Sequence, residues 1–244
     1  MRYAILADIH ANLAAFTAVL DDIESKGGVD EVWCLGDVVG YGPEPHQCIE
    51  LLSQRNHICV AGNHDWAALG KIDTAYFNPA AAAACHWTAQ QLSPEDRQYL
   101  EGLPLIIEKG DFTLAHGSPR EPIWEYILSA SSVIENMAYF QTQFCLVGHS
   151  HVPFVFEYDT GGGCFLRDFD DNAVITLAKN RLIINPGGVG QPRDGDPRAS
   201  YAIYDSEAGS IIHYRIAYDV AATQARMTEY RLPVSLVKRL SYGM

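Results

Sequence analysis

The sequence predicts an α/β fold built on two packed sheets, and two patterns carry that expectation. Five short apolar runs each stop at polar residues, with helical patterns separating the early ones. The C-terminal part then consists mainly of strand-like segments joined by tight turns. At 244 residues, of which 48% are hydrophobic and 19% charged, the chain has the composition of a folded globule. One large domain over residues 1–244 accommodates it.

The apolar runs come in order. Tyr3–Ala7 ends at Asp8-Ile9-His10, Val32–Leu35 at Gly36-Asp37, and Ile58–Ala61 at Gly62-Asn63-His64-Asp65. Phe112–Ala115 ends at His116-Gly117, and Phe144–Val147 at Gly148-His149-Ser150-His151. Between the first runs, Leu13, Phe16, Leu20 and Ile23 predict a helix over about 12–26, closed by Gly27-Gly28. A second helix is expected over about 45–54. This alternation predicts a largely parallel central sheet with right-handed crossovers. Ligands of such sheets gather beyond the carboxyl ends of the strands, so the polar run-ends are expected along one edge.

The stretch between Asp65 and Asp111 reads as helical: Asn78–Gln91 is alanine-rich, and Ser93-Pro94 is a helix-start pair. Residues 152–159, 173–177, 181–185, 200–204 and 211–216 read as strands of an antiparallel second sheet. A helix near 219–230 and a short basic end follow. The core is expected over about 1–215, with a helical appendage over about 216–244.

Charge narrows the partners. With 17 basic and 30 acidic side chains the formal net charge is −13, which disfavours extended nucleic acid and acidic membranes. No run approaches a membrane helix, and Asp8 interrupts the first apolar run, so no membrane or secretory role is expected. The six cysteines form no C-x-x-C pair, and Cys34, Cys59 and Cys145 read as small buried hydrophobes. That usage fits a reducing, cytoplasmic setting. Oligomeric state is not legible.

The run-ends carry the chemistry. Asp8, His10, Asp37, Asn63, His116, His149 and His151 combine two carboxylates, one amide and four imidazoles without a thiolate. Such a set suits divalent transition ions, with Mn foremost and Fe, Zn or Ni as alternatives. A pair of ions bridged by one aspartate ionises water and clamps the oxygens of an in-line phosphoryl displacement. Two such ions also leave a positive pocket in an acidic protein, fit for a small phosphate ester.

These five blocks, in this order, resemble the signature of the calcineurin-like metallophosphoesterases over about residues 1–215, closest to the small bacterial and archaeal branch without a large cap. The resemblance implies a four-layer αββα sandwich of two mixed sheets flanked by helices. It implies one metal on Asp8, His10 and His151, a second on Asn63, His116 and His149, and Asp37 on both. His64 would be the non-ligand histidine that stabilises charge or protonates the leaving group, and Asp65 would orient it. The implied reaction is hydrolysis of phosphodiesters or phosphomonoesters by direct attack of a metal-activated hydroxide. Nucleotide, dinucleoside-polyphosphate and phosphoprotein substrates are the alternatives. Scaffold relatives of the fold lose ligands or the His of the Asn-His-Asp block, whereas this chain keeps them.

Other residues are open. Arg193 and Arg198 are candidates for substrate-anion contacts, against ion pairing with Asp194 or Asp196. Tyr41, Trp124 and Tyr126 either face the cleft or pack, with packing the expectation for the last two. Gly187, Gly188 and Gly190 either offer N–H groups to phosphate or form a plain turn. His46, His57, His86 and His213 receive no role.

Overall fold

The computed structural model describes residues 1–159 and 161–244. The chain folds as two six-stranded mixed sheets, face to face, with helices outside. The first sheet contains β1 (Arg2–Leu6), β2 (Glu31–Cys34), β3 (His57–Cys59), β9 (Val174–Thr176), β11 (Ala199–Asp205) and β12 (Ser210–Ile216). The second contains β4 (Ile106–Lys109), β5 (Phe112–Ala115), β6 (Phe144–Leu146), β7 (Pro153–Tyr158), β8 (Cys164–Arg167) and β10 (Arg181–Pro186). Strand order is β3-β2-β1-β11-β12-β9 in one and β4-β5-β6-β10-β7-β8 in the other.

This corrects the division expected from sequence. The runs at 112–115 and 144–147 do not extend the first sheet; β5 and β6 are parallel neighbours in the second. Conversely β11 pairs antiparallel with β1, inserting late strands beside the earliest one. Each sheet therefore mixes directions, and the candidate ligands come from two facing strand edges rather than one. An apolar run reports that its strand is buried on both faces, but not which strand it pairs with.

Side-chain alternation builds three cores. In β1, Ala4 and Leu6 face the outer helices, while Ile5, and Ala7 just after the strand, face the other sheet. Between the sheets lie Ile5, Trp33, Leu35, Phe112, Leu146 and Ile184. On the outer face of the first sheet, α1 (Leu13–Ser25) inserts Phe16, Val19, Leu20 and Ile23. Beside it α2 (Pro45–Ser53) buries Cys48, Ile49 and Leu52. Asn12 caps α1 by accepting from the Ala15 N–H at 3.2 Å. On the far side, α6 (Ala130–Asn136) and the residues after it pack Val133, Met137 and Phe140 on the second sheet.

The middle of the chain supplies α3 (Asn63–Leu69), α4 (Pro79–Gln91) and α5 (Pro94–Glu101), with Ser93 as the expected cap of α5 and Asn78 capping α4. The chain closes with α7 (Val220–Glu229) and α8 (Val234–Arg239). Their Met227, Leu232, Leu236 and Leu240 pack with Tyr41, Ala81 and Ala84, which draws the C-terminal helices onto the rim of the site. Among the described residues no helix is long and apolar enough to cross a membrane.

Phe112 anchors the inter-sheet layer, 2% exposed and with its ring centroid within 5.3 Å of those of Trp33, Phe144 and Tyr204. Phe112→Ala is expected to cost about 3–5 kcal/mol, lowering the thermal midpoint by roughly 10 °C. A midpoint within 2 °C of wild type, by about the same scale, would contradict this account of the layer.

Candidate metal centre

Strand ends bring the polar blocks together. Asp8 and His10 follow β1, Asp37 follows β2, and Asn63 opens α3 just after β3. His116 follows β5, and His149 and His151 follow β6. All seven are buried, none more than 4% exposed. Three groups of side chains offer ligand atoms within 4.8 Å of one another: Asp8, His10 and His151; Asp37, His116 and His149; and His10, Asp37 and His64. Asn63 joins the second group, its Oδ1 3.1 Å from His116 Nε2.

The backbone is held unusually to achieve this. Among the described residues nine non-glycine residues occupy the left-handed region, and all but Asn172 and Arg231 belong to the segments after β1, β2 and β6. Five of them are Asp8, His10, Asp37, His149 and His151, with φ between 49° and 64°. Each such conformation costs free energy that regular structure avoids, and persists where surrounding contacts over-determine it. Close approach does the rest. A Cβ on Gly62 would overlap Asp37, and one on Gly190 would overlap the Ile9 carbonyl.

Hydrogen bonds fix which ring nitrogens face inward. His10 Nδ1 donates to the Val39 carbonyl at 3.1 Å, His116 Nδ1 to that of Leu35 at 2.8 Å, and His151 Nδ1 to that of Gln191 at 2.5 Å. A proton on each Nδ1 leaves an Nε2 lone pair directed into the site. His10 Nε2 and His151 Nε2 then sit 3.1 Å apart, as do His116 Nε2 and His149 Nδ1. Lone pairs this close repel one another unless a cation or proton lies between them. Asp37 Oδ2 is buried without a hydrogen-bond partner, another donor atom directed at a charge. The residues fit divalent metal ions, in donor chemistry and in direction.

Titration points the same way. Burial pushes the pKa values of His10, His149 and His151 well down, so these rings are neutral. Burial likewise raises Asp8 to about 7. Burial opposes the ionised form of Asp37 too, but His116 and His64 outweigh it and hold this carboxylate below its ordinary range. His116 shows the reverse: burial lowers it, yet Asp37 pulls it up to about 9. A proton on His116 marks where the cluster draws positive charge, the role a bound cation takes over.

His64 and Asp65 do not form the expected couple. Asp65 Oδ2 accepts from the N–H groups of Asp37 and Gly62, both at 2.9 Å, and Oδ1 from that of Val39 at 3.1 Å. Its carboxylate lies under the loops, ahead of the first turn of α3, where N–H groups need an acceptor. His64 Nδ1 instead meets Cys85 Sγ at 3.3 Å, and its ring packs against Tyr41 and Phe77. Burial lowers His64 to about 4 and raises Cys85, so the pair is a neutral imidazole and a thiol.

The loop arginines separate. Arg193 lines a cleft of about 320 Å³ together with Asn63, His64, His149 and His151. Arg198 does not reach it: the guanidinium pairs with Asp196 at 2.7 Å and Asp171 at 2.8 Å, and lines a different cavity. Two acidic neighbours compete for Arg198, whereas Tyr41 and Gln191 are the partners of Arg193. Trp124 and Tyr126, expected to pack, are 38% and 44% exposed on the cleft wall, and Tyr126 stacks on His149 at 3.8 Å. The glycine loop is a turn: the Val189 and Gly190 N–H groups donate to the Ala7 and Asp8 carbonyls. Sequence reasoning missed Cys85, Gln191 and Arg239. Cys85 hides in an alanine-rich helix, while the basic end of an acidic chain was a signal for Arg239.

Comparison with known proteins agrees with this geometry. The family model of the calcineurin-like phosphoesterase superfamily domain matches residues 1–209. The crystal structure of a metallophosphoesterase from Sphaerobacter thermophilus superposes with a TM-score of 0.91 at 48% identity, covering 100% of this chain and 99% of that one. An uncharacterized protein of Methanocaldococcus jannaschii is 40% identical over 245 residues, 98% of this chain and 97% of that protein. A symmetrical bis(5′-nucleosyl)-tetraphosphatase of Pseudomonas putida is 35% identical over 65 residues, 26% of this chain and 22% of that enzyme.

Asp65→Ala would strand three buried N–H groups. It is expected to cost about 3 kcal/mol or more in urea denaturation, and to weaken divalent-ion binding about 10- to 100-fold in calorimetric titration. Wild-type stability and affinity together would refute the brace.

Proposed function

The chain belongs to the calcineurin-like phosphoesterase superfamily and is a phosphoric ester hydrolase, and on that premise we propose a dinuclear enzyme acting on small phosphodiesters or phosphomonoesters. One observation carries the proposal. Asp37 Oδ2, buried and without a partner, lies between two sets of imidazoles whose backbone hydrogen bonds turn their lone pairs toward it. Asp8, His10 and His151 would hold one ion and Asn63, His116 and His149 the other, with Asp37 shared. Mn is the first ion to test, followed by Fe, Zn and Ni, since the donor set lacks thiolate.

When bound, two divalent ions supply water ionised near neutral pH and neutralise the phosphoryl oxygens. The remaining work falls to this chain's side chains. Hydroxide from water adds to phosphorus, the bond to the leaving oxygen breaks in line, and that oxygen takes up a proton. His64 is the residue to meet the leaving oxygen. Cys85 occupies its Nδ1, which leaves Nε2 for the substrate. As a neutral ring it donates a hydrogen bond from Nε2–H that stabilises the charge developing on the leaving oxygen, and that oxygen takes its proton from water. Cys85 is no competing nucleophile, because burial keeps it a thiol. This supports direct attack without a phosphoenzyme.

The scaffold alternative finds no support in the ligand set, because every ligand position and His64 is retained. Cleft size favours small esters over phosphoproteins: about 320 Å³ suits a small molecule.

The test is a matrix of apo-protein reconstituted with each ion and assayed on aryl mono- and diesters. His64→Ala is expected to lower kcat about 10²- to 10³-fold, with the larger loss on esters of poor leaving groups and with bound metal retained. Asp37→Asn should lose both turnover and the thermal upshift of about 5 °C or more that saturating ions give the wild type. Unchanged metal-dependent turnover in both variants would sink the mechanism.

A further inference from the structure

Arg193 is not the only guanidinium in the cleft. Arg239, from the last turn of α8, lines the same wall. Arg193 Nη2 and Arg239 Nη1 both donate to one acceptor, Gln191 Oε1, each at 3.1 Å. Two like charges thus converge on a single neutral oxygen. Among the described residues neither forms an ion pair with a carboxylate, although the chain carries 30 acidic side chains.

The neighbouring arginines show what the pair lacks. Arg198 is held by Asp196 and Asp171, and Arg215 by Asp194. The same loop therefore neutralises the arginines that face away from the cleft and leaves Arg193 unmatched. Burial, then the Arg193 charge, lowers the pKa of Arg239, the mark of a cation in want of an anion. Gln191 also ties the pair to the metal cluster, since its backbone carbonyl accepts from His151 Nδ1. Tyr41 braces Arg193 from the other side, its hydroxyl 3.2 Å from Nη2.

Aromatic rings line the same cleft. Tyr76 and Trp124 lie edge to face with ring centroids 6.1 Å apart and are 80% and 38% exposed. Exposed aromatic rings beside a cationic wall suit a planar ring joined to an anion.

We propose that Arg193 and Arg239 form a second anion subsite beside the metal centre, selecting substrates with an ionised phosphoryl group besides the one cleaved. With the aromatic rim, the chemical class is a nucleoside polyphosphate rather than a simple diester. This assignment rests on the phosphoesterase reading for what is cleaved, but the subsite itself is a matter of binding.

The test uses the full chain, loaded with Mn, as wild type, Arg239→Gln and Arg239→Lys, with Arg226→Gln as a surface control. Calorimetry measures binding of adenosine 5′-(β,γ-imido)triphosphate and of phenylphosphonate, which has one anionic group. Kinetics compare kcat/KM on diadenosine tetraphosphate with that on bis-p-nitrophenyl phosphate. Loss of a charged hydrogen-bond donor predicts that Arg239→Gln weakens the imidotriphosphate relative to phenylphosphonate by about 10- to 100-fold. The ratio of kcat/KM values should shift alike, mainly through KM, with partial rescue by Arg239→Lys and none of these changes in Arg226→Gln. Equal losses on both ligands, or no loss, would overturn the subsite, as would a wild type that does not bind the imidotriphosphate. A wild type that turns over no ester yet binds it in an Arg239-dependent way would sink the hydrolytic reading and uphold the subsite.

Discussion

Asp8 and Asp37 are almost wholly enclosed, and among the described residues neither forms an ion pair with a lysine or arginine. Two bare carboxylates at such depth carry a desolvation cost that hydrogen bonds alone do not offset. Imidazoles surround them, yet most are too buried to hold a proton themselves. The cluster suits divalent cations at its centre, and much around it fits that need. Left-handed backbone at five of the candidate ligands aims the donors, while glycines at 62 and 190 let the loops close over them. The structure concentrates strain where a metal's binding free energy can compensate for it.

Holding the donors still is a separate task, and it falls to groups outside the candidate ligand set. Asp65 gathers three N–H groups from two loops with one carboxylate, so the ends of β2 and β3 cannot move independently. Backbone carbonyls of Val39, Leu35 and Gln191 orient three of the rings. These acceptors come from the loops that also carry Asp37 and Arg193, so metal position and substrate position share supports. A Gln191 displaced by a fraction of an ångström would disturb His151 and both cleft arginines together.

Much of the site was legible because its chemistry is local in sequence. An apolar run that stops at Asp-x-His or at Gly-Asn-His-Asp declares both a buried strand and a polar strand end, and helix caps at Asn12, Asn78 and Ser93 are equally local. Pairing between distant strands leaves no such trace. Nothing in Tyr201 or Ile203 says that β11 lies against β1, so the allocation of strands to sheets was misread. Asp65 was misread for a related reason. Adjacency to His64 implied a partner, whereas the first turn of a helix points successive side chains in different directions. Cys85 and Arg239 reach the site only through tertiary packing, from helices whose patterns describe their own cores.

On the proposed reading, the electrostatics of the whole protein would give the cleft its selectivity. A surface with net charge −13 repels long polyanions, whose many phosphates meet acidic groups well outside the cleft. A compact anion meets mainly the near field, where two guanidiniums and the metal centre dominate. Screening over about 10 Å at 0.1 M salt sharpens this contrast, because distant surface charge fades while contacts inside the cleft persist. Short polyphosphates can gain from Arg193 and Arg239 together without extending into the acidic exterior. On the proposed subsite, an acidic protein with a small cationic cleft would discriminate among phosphate esters by length as well as by charge. That discrimination requires both guanidiniums to remain unpaired by the protein's own carboxylates, the arrangement that the ion pairs at Arg198 and Arg215 leave in place.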